Sequence, residues 1–435
     1  MWQRLTRAIS SAIALGLLAG CGQPAARPAP TPAIQPLTET LSLSPDSAEG
    51  ATEKAIAELQ TAIRERGGSA EQYARLGAGY LQRWRETADP SFYGKAEPAL
   101  DKALELDPSN VDALIELGAL ASSRHDFGQA LAWAGRAIEQ DGHSSAAYGV
   151  KADALVELGR YQQAIDTIQR MVDLRPDLSS YSRVSYIREL TGDTPNAILA
   201  MRQAVAAGAP TADDTAWARY QLGMLYFNSG QLDAAEQEFQ AALHFLPGYV
   251  HARAGLALVS AARGDYDGAI ALYKPVTDTL PLPQYVIELG DVYAASGRDD
   301  LAQQQYELVG AMEQLYQASG ANVDMEMALF DADHDRHLDS LVDEGQRGVR
   351  ERPSILGHDA LAWTLYKAGR YEEAEAEEKL AMSTGMKNAL FQFHMGMIQL
   401  GLAHTTEGST MLRTALAINP YFSLRYAPLA HELTA

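Results

Sequence analysis

The densest run of potential ligand atoms in the chain is Asp331-Ala332-Asp333-His334-Asp335. Asp331, Asp333, Asp335 and Asp339 fall at the first, third, fifth and ninth positions of a twelve-residue calcium loop, where oxygen atoms must converge on the ion. The pattern then breaks. Arg336 stands where the sharp turn needs glycine, and Val342 where a bidentate glutamate would close the sphere. His334, His337 and His358 could join these carboxylates around a transition metal, but no two of them have the i, i+4 spacing of a helical ligand pair. The expectation is a solvated acidic turn. Binding of a metal or small molecule at 331–339 is the alternative.

No other constellation points to catalysis. The chain has no G-x-S-x-G, no H-E-x-x-H, no P-loop and no dinucleotide glycine fingerprint. No catalytic residue, cofactor or metal centre is assigned. The single cysteine, Cys21, cannot form an intrachain disulfide, so the fold does not depend on an oxidising compartment. A net charge of −21 over 435 residues repels nucleic acid and anionic headgroups, which places nucleic acid low among partners. With 47% hydrophobic residues the composition is that of a folded protein.

The elements that must position any site are short amphipathic helices. In Leu222 to Pro247, a first pattern holds Leu222, Gly223 and Tyr226, and Gly230 breaks it. A second holds Ala235, Phe239, Ala242 and Leu243 at i, i+4, i+7 and i+8, one face of a 3.6-residue helix, and Pro247 stops it. The small residues let two antiparallel helices approach, and Tyr226 and Phe239 fill the gap. Leu117, Gly118, Ala121, Ala130, Ala134, Ala137 and Ile138 repeat this spacing, as do Ala152, Leu155, Gly159, Ala164, Ile168 and Met171, and later Leu289, Gly290, Tyr293, Gly297, Ala302 and Tyr306. A period of about 34 residues over 53–420 resembles the tetratricopeptide repeat (TPR) family, with its W-x2-L-G-x2-Y, A-x3-F and P pattern. The resemblance implies an all-α fold: a right-handed superhelical solenoid of antiparallel helix pairs.

Glu53 to Arg66 reads as a half-repeat capping the array. About seven extra residues, around Glu86 to Phe92, should bulge between the first two full helices. A kink is expected at Pro275 and an interruption at Pro428. The organisation is a signal segment 1–20, a proline-rich tether 21–50, a central array 51–320, and degenerate repeats with a cap at 321–435.

In TPR proteins the first helix of each repeat lines a concave groove. The resemblance places Tyr186, Trp217, Tyr220, Met224, Phe227, Asn228 and His251 there, on three neighbouring helices, with Leu190 and Leu258 beside them. Trp363, Tyr366, Phe393 and Met397 form a second cluster. The fifth positions of the first helices (Ala74, Ile115, Gly149, Ser182, Tyr220, Ala254 and Ile287) carry none of the lysines of a carboxylate clamp. An apolar segment of a partner protein is the expected occupant.

At the N-terminus, Arg4 and Arg7 precede an apolar run, Ala8 to Ala19, too short to span a bilayer. It ends in Leu18-Ala19-Gly20-Cys21, which resembles the lipobox of bacterial lipoproteins. That resemblance implies cleavage before Cys21, lipidation of its thiol, and membrane anchoring. Gly22 in place of aspartate implies the outer membrane, facing the periplasm, in a Gram-negative cell. Gly22 to Gly50 contains Pro24, Pro28, Pro30, Pro32 and Pro36. Such a tether spans about 30 Å as a coil and up to about 90 Å when extended. The reading is an envelope-anchored scaffold, adaptor or assembly factor that binds a protein or peptide.

Overall fold

The structure is a computed structural model that describes residues 50–337 and 340–435. Cys21, the signal segment and nearly all of the tether lie outside the described residues, as does Asp339. The described residues fall within one compact unit and contain 22 α-helices and no strand.

The helices alternate as antiparallel pairs. A lone helix, α1 (Ala51–Arg66), precedes the pair α2 (Ala70–Thr87) and α3 (Tyr93–Leu106). Then come α4 (Val111–Ser123) with α5 (Phe127–Gln140), α6 (Ser145–Glu157) with α7 (Tyr161–Leu174), and α8 (Leu178–Leu190) with α9 (Thr194–Ala207). The middle pairs are α10 (Asp213–Asn228) with α11 (Leu232–Phe245), α12 (Val250–Ala262) with α13 (Tyr266–Thr279), and α14 (Pro283–Ala295) with α15 (Asp299–Ala318). The last are α16 (Asp324–Asp333) with α17 (Leu341–Glu351), α18 (Ile355–Lys367) with α19 (Tyr371–Ala381), and α20 (Ala389–Gly401) with α21 (Thr405–Ile418). A terminal helix, α22 (Tyr426–Thr434), closes the series.

Local chemistry sets these boundaries. Asn110, Asp126, Ser144, Ser354 and Asn388 cap helix N-termini through their side-chain oxygens. Gly159, Gly192, Gly230, Gly264, Gly297 and Gly369 occupy the left-handed region at the turn within a pair, and His125 and Ala403 take that position in two others. The insertion near Glu86 is absorbed by an extra turn of α2 and a short 3-10 segment, Pro90–Phe92. α13 runs through Pro275 as one helix. The interruption expected at Pro428 does not occur: this proline lies in the first turn of α22, where the backbone N–H it lacks has no intrahelical acceptor.

Packing follows the repeat. The Phe239 ring lies between α10 and α12, and a Cβ added at Gly223 or Gly255 would stand 2.4 or 2.6 Å from it. These glycines are therefore spaces for the ring. Tyr306 against Gly290 and Leu100 against Gly77 repeat the arrangement. Successive first helices also touch each other along the array, so they line its inner side.

The array stacks on itself. Turns within the early pairs meet loops between the late pairs, 192 to 197 residues further on. Asn322 donates its backbone N–H to the Arg124 carbonyl at 2.9 Å, and the His125 ring bonds the Asn322 carbonyl at 2.7 Å. Ile355 N–H donates to the Tyr161 hydroxyl at 2.7 Å, and the Asn419 amide donates to the Phe227 carbonyl at 3.0 Å. The Arg352 guanidinium, with Arg352 only 7% exposed, joins Glu157 at 2.9 Å and Glu326 on its own side. One gyre thus takes roughly five to six repeats, and the next gyre seats upon it.

Candidate partner-binding face

The residues expected in the groove divide into two groups. Tyr220 and Phe227 are buried in the core formed by α9 to α12. Tyr220 packs against Phe239 at 5.8 Å between centroids and against His251 at 5.7 Å. The Phe227 backbone is also engaged, through its carbonyl, in the contact between gyres. Trp217, by contrast, is 38% exposed, Asn228 is exposed, and Met224 and Tyr186 are half-buried. α8 and α10 are adjacent first helices; Met224 packs on the core of α9 to α12, whereas Tyr186 packs on a separate core that includes Ile355 and Phe391 of the late repeats.

Polar groups run beside that face. The His251 ring bonds the Tyr285 hydroxyl. Burial pulls its pKa down to about 4, so the imidazole is neutral at pH 7. Glu288 accepts from the Tyr273 hydroxyl at 2.9 Å and from Gln284 at 3.0 Å. Burial pushes its carboxyl up to about 7, the hydrogen bonds opposing the shift. Glu189, on α8, is likewise raised to about 7 by burial, with a hydrogen bond from Asn228 acting against it. The surrounding protein also raises the Tyr186 phenol. None of these groups is arranged as a nucleophile with a base.

The second aromatic cluster is not free. Phe422 and Tyr426, from the C-terminal segment, cover it: Tyr426 stacks on Phe393 at 4.7 Å and meets Trp363 edge-on at 5.5 Å, and Phe422 reaches Phe393 at 5.6 Å. Trp363 N–H and the Tyr426 hydroxyl both donate to Asp333, at 2.8 and 2.9 Å.

That use of Asp333 dismantles the acidic turn as a ligand set. Asp331 is buried and pairs with His337 at 2.6 Å and Arg336 at 3.4 Å. Asp335 pairs with Lys367 at 2.7 Å. The His334 ring bonds the Phe330 carbonyl at 2.8 Å and Asp291 at 3.2 Å, and His358 bonds Glu377 at 2.6 Å. Each described carboxylate of the turn serves a different protein partner. The expectation of a solvated turn is corrected at Asp331 and Asp333, which are packed inward. The sequence reading also missed a buried group elsewhere, Asp359, Glu378 and His394. Its signal was Glu378 in the position where A-x3-F puts an aromatic.

Comparisons with known proteins agree with the repeat geometry. A family model described as "Anaphase-promoting complex, cyclosome, subunit 3" matches residues 91–171, and tetratricopeptide-repeat models match 190–250, 229–286 and 356–377. The human mitochondrial import receptor subunit TOM70 is 25% identical over 149 residues, covering 31% of this chain and 24% of that protein. Arabidopsis thaliana anaphase-promoting complex subunit 7 is 24% identical over 205 residues, 47% of this chain and 36% of the relative. The chain thus matches only about a quarter to a third of these relatives' length. Among solved structures, the human IFIT1 dimer with PPP-AAAA shares 16% identity at a TM-score of 0.49, covering 78% of this chain and 79% of that one. The Cut9–Hcn1 hetero-tetramer shares 14% at 0.39, covering 89% and 93%. Paired helices with a common register and matched repeat models make the described part of the chain an all-α tetratricopeptide-repeat superhelix.

Proposed function

We propose that this protein is an envelope-anchored scaffold that holds a segment of a partner protein against the first-helix face of α8 and α10. The observation that carries the reading is Trp217. It is a large aromatic left exposed on α10, the helix that also carries half-buried Met224, whereas the corresponding aromatics near the C-terminus are covered by the chain's own tail. Aromatic anchors of this kind dominate binding interfaces, each contributing about 2 kcal/mol or more. Exposed Asp213 and Asp214 at the start of α10, one turn before Trp217, favour a segment that places Lys or Arg beside its apolar anchor. The similarity to an import receptor subunit and to a subunit of the anaphase-promoting complex supports a role within a larger assembly. No catalytic role is proposed.

The anchor in this reading is the lipid on Cys21, supported by the Leu18-Ala19-Gly20-Cys21 string and the basic start. Two or three acyl chains hold such a protein stably at a membrane. Fractionation of wild type and Cys21→Ser tests it: wild type is expected with membranes and the variant in the soluble fraction. Equal partitioning contradicts the anchor. For the face, Trp217→Ala is expected to keep its circular dichroism and melting temperature while weakening partner capture tenfold or more. Unchanged capture by the folded variant contradicts the site.

A further inference from the structure

The second helices share one register. A small residue is followed, four positions on, by the side chain that fills the space between neighbouring first helices: Phe239 after Ala235, Tyr273 after Ala269, Tyr306 after Ala302. In α19 the same register reads Ala374 and Glu378. Glu378 is 0% exposed, and neither of its oxygens meets a hydrogen-bond donor. Its neighbours are Asp359 from α18, 3% exposed, and His394 from α20, 0% exposed. One ligand atom from each of the three lies within 4.8 Å of the others. His394 Nδ1 is 2.7 Å from Asp359 Oδ1, and its Nε2 has no partner. The Trp363 ring stacks over the imidazole at 4.1 Å and 14°, so one wall of the group is apolar.

Two carboxylates in a dry core repel each other and lose their hydration, and no lysine or arginine is paired with either of them here. A protonated His394 would supply one positive charge, beside Asp359, and would leave the second carboxylate without a cation. A doubly charged ion would neutralise the pair, and carboxylate oxygens with one imidazole suit a borderline transition metal. We propose that Asp359, Glu378 and His394 form a structural site for one divalent transition metal ion of the zinc class, locking α18, α19 and α20 together. The competing arrangement is a single proton shared between Asp359 and Glu378, which needs no metal. Because the group is fully enclosed, the ion would enter as the chain folds.

The test therefore refolds the full-length chain. Protein unfolded in guanidinium with a chelator is desalted and refolded with zinc, with manganese, or with chelator alone. Metal is then counted by elemental mass spectrometry after gel filtration, and melting is followed by circular dichroism. The expected result is about one metal ion per chain and a melting temperature at least about 5 °C above that of the chelator sample. Glu378→Gln should abolish both effects. Glu378→Phe, which restores the repeat's register, should melt at the same temperature with or without metal. Wild-type chain that refolds to the same melting temperature in chelator, and holds no more metal than Glu378→Gln, overturns the site and leaves the shared proton.

Discussion

At the scale of single residues, burial sets protonation on the inner side of the array, and the signs can be checked. The carboxyl of Glu288 titrates near 7 in the folded chain against 4.5 when free. Between those values the folded state holds a proton that the unfolded state has lost. The stability this group contributes is present below 4.5 and declines as pH rises towards 7. Glu288→Gln keeps the hydrogen-bonding shape and removes the titration. Its melting temperature, relative to wild type, is predicted to be higher at pH 8 than at pH 5; the same offset at both pH values would refute the assignment. His251, lowered from 6.5 to about 4, works in the opposite sense, and its contribution is lost as pH falls through that window. Phe239 gives a cavity test. Its ring occupies the space left by Gly223 and Gly255, so Phe239→Ala should cost about 3–5 kcal/mol in urea unfolding. A cost below about 1 kcal/mol would mean the two helices close over the gap.

At the scale of elements, the turns within pairs look alike in sequence but carry different loads. Gly159, Gly192 and Gly264 all have positive φ. A Cβ at Gly264 meets nothing within 4 Å, whereas at Gly159 it would stand 2.2 Å from the Pro353 carbonyl and at Gly192 2.1 Å from the Gly385 carbonyl. Gly264→Ala should therefore cost only the strained backbone, about 1 kcal/mol. Gly159→Ala and Gly192→Ala should cost about 1–3 kcal/mol more, because a backbone carbonyl cannot rotate away as a side chain does. Equal costs at the three glycines would show that the contacts between gyres add nothing. This difference could not be read from the sequence, where the glycines share one place in the period. The period itself was legible: small residues at fixed offsets and Phe239, Tyr273 and Tyr306 in one register specify paired helices. What lay hidden was which faces are spent. Tyr220 and Phe227 satisfy the groove positions yet sit in the core, because large aromatics serve either role and only the neighbours decide. Covering of Trp363 and Phe393 by Phe422 and Tyr426 depends on the path of the tail, which no local pattern encodes.

At the scale of the whole molecule, open solenoids are held only by nearest-neighbour interfaces and can unravel from an end. Here the late repeats are also fastened to the early ones. Arg352 is buried between Glu157 and Glu326, one from each gyre. Removing it leaves Glu157 largely buried without its partner, while Glu326, 38% exposed, still meets water, so Arg352→Ala should cost about 1.5–3 kcal/mol. Hydrogen exchange gives a sharper reading. In wild type, α6 and α18 are expected to open together, and in Arg352→Ala the C-terminal pairs should lose protection first. Unchanged, simultaneous opening would mean the seam does not couple them. The seam arises from small rotations accumulated over five to six repeats, which is why the sequence announces the solenoid but not its closure on itself.

Trp217 on the first-helix face of α10 stays exposed after the array closes on itself, and the account rests on a partner using it. A photoreactive amino acid placed at position 217 of this chain, with exposed Leu315 of α15 as the control position, examines this in intact cells. The account predicts one discrete crosslinked partner from position 217, absent from position 315 and competed by overexpressed wild-type chain. No crosslink at 217, or the same products from both positions, would contradict it.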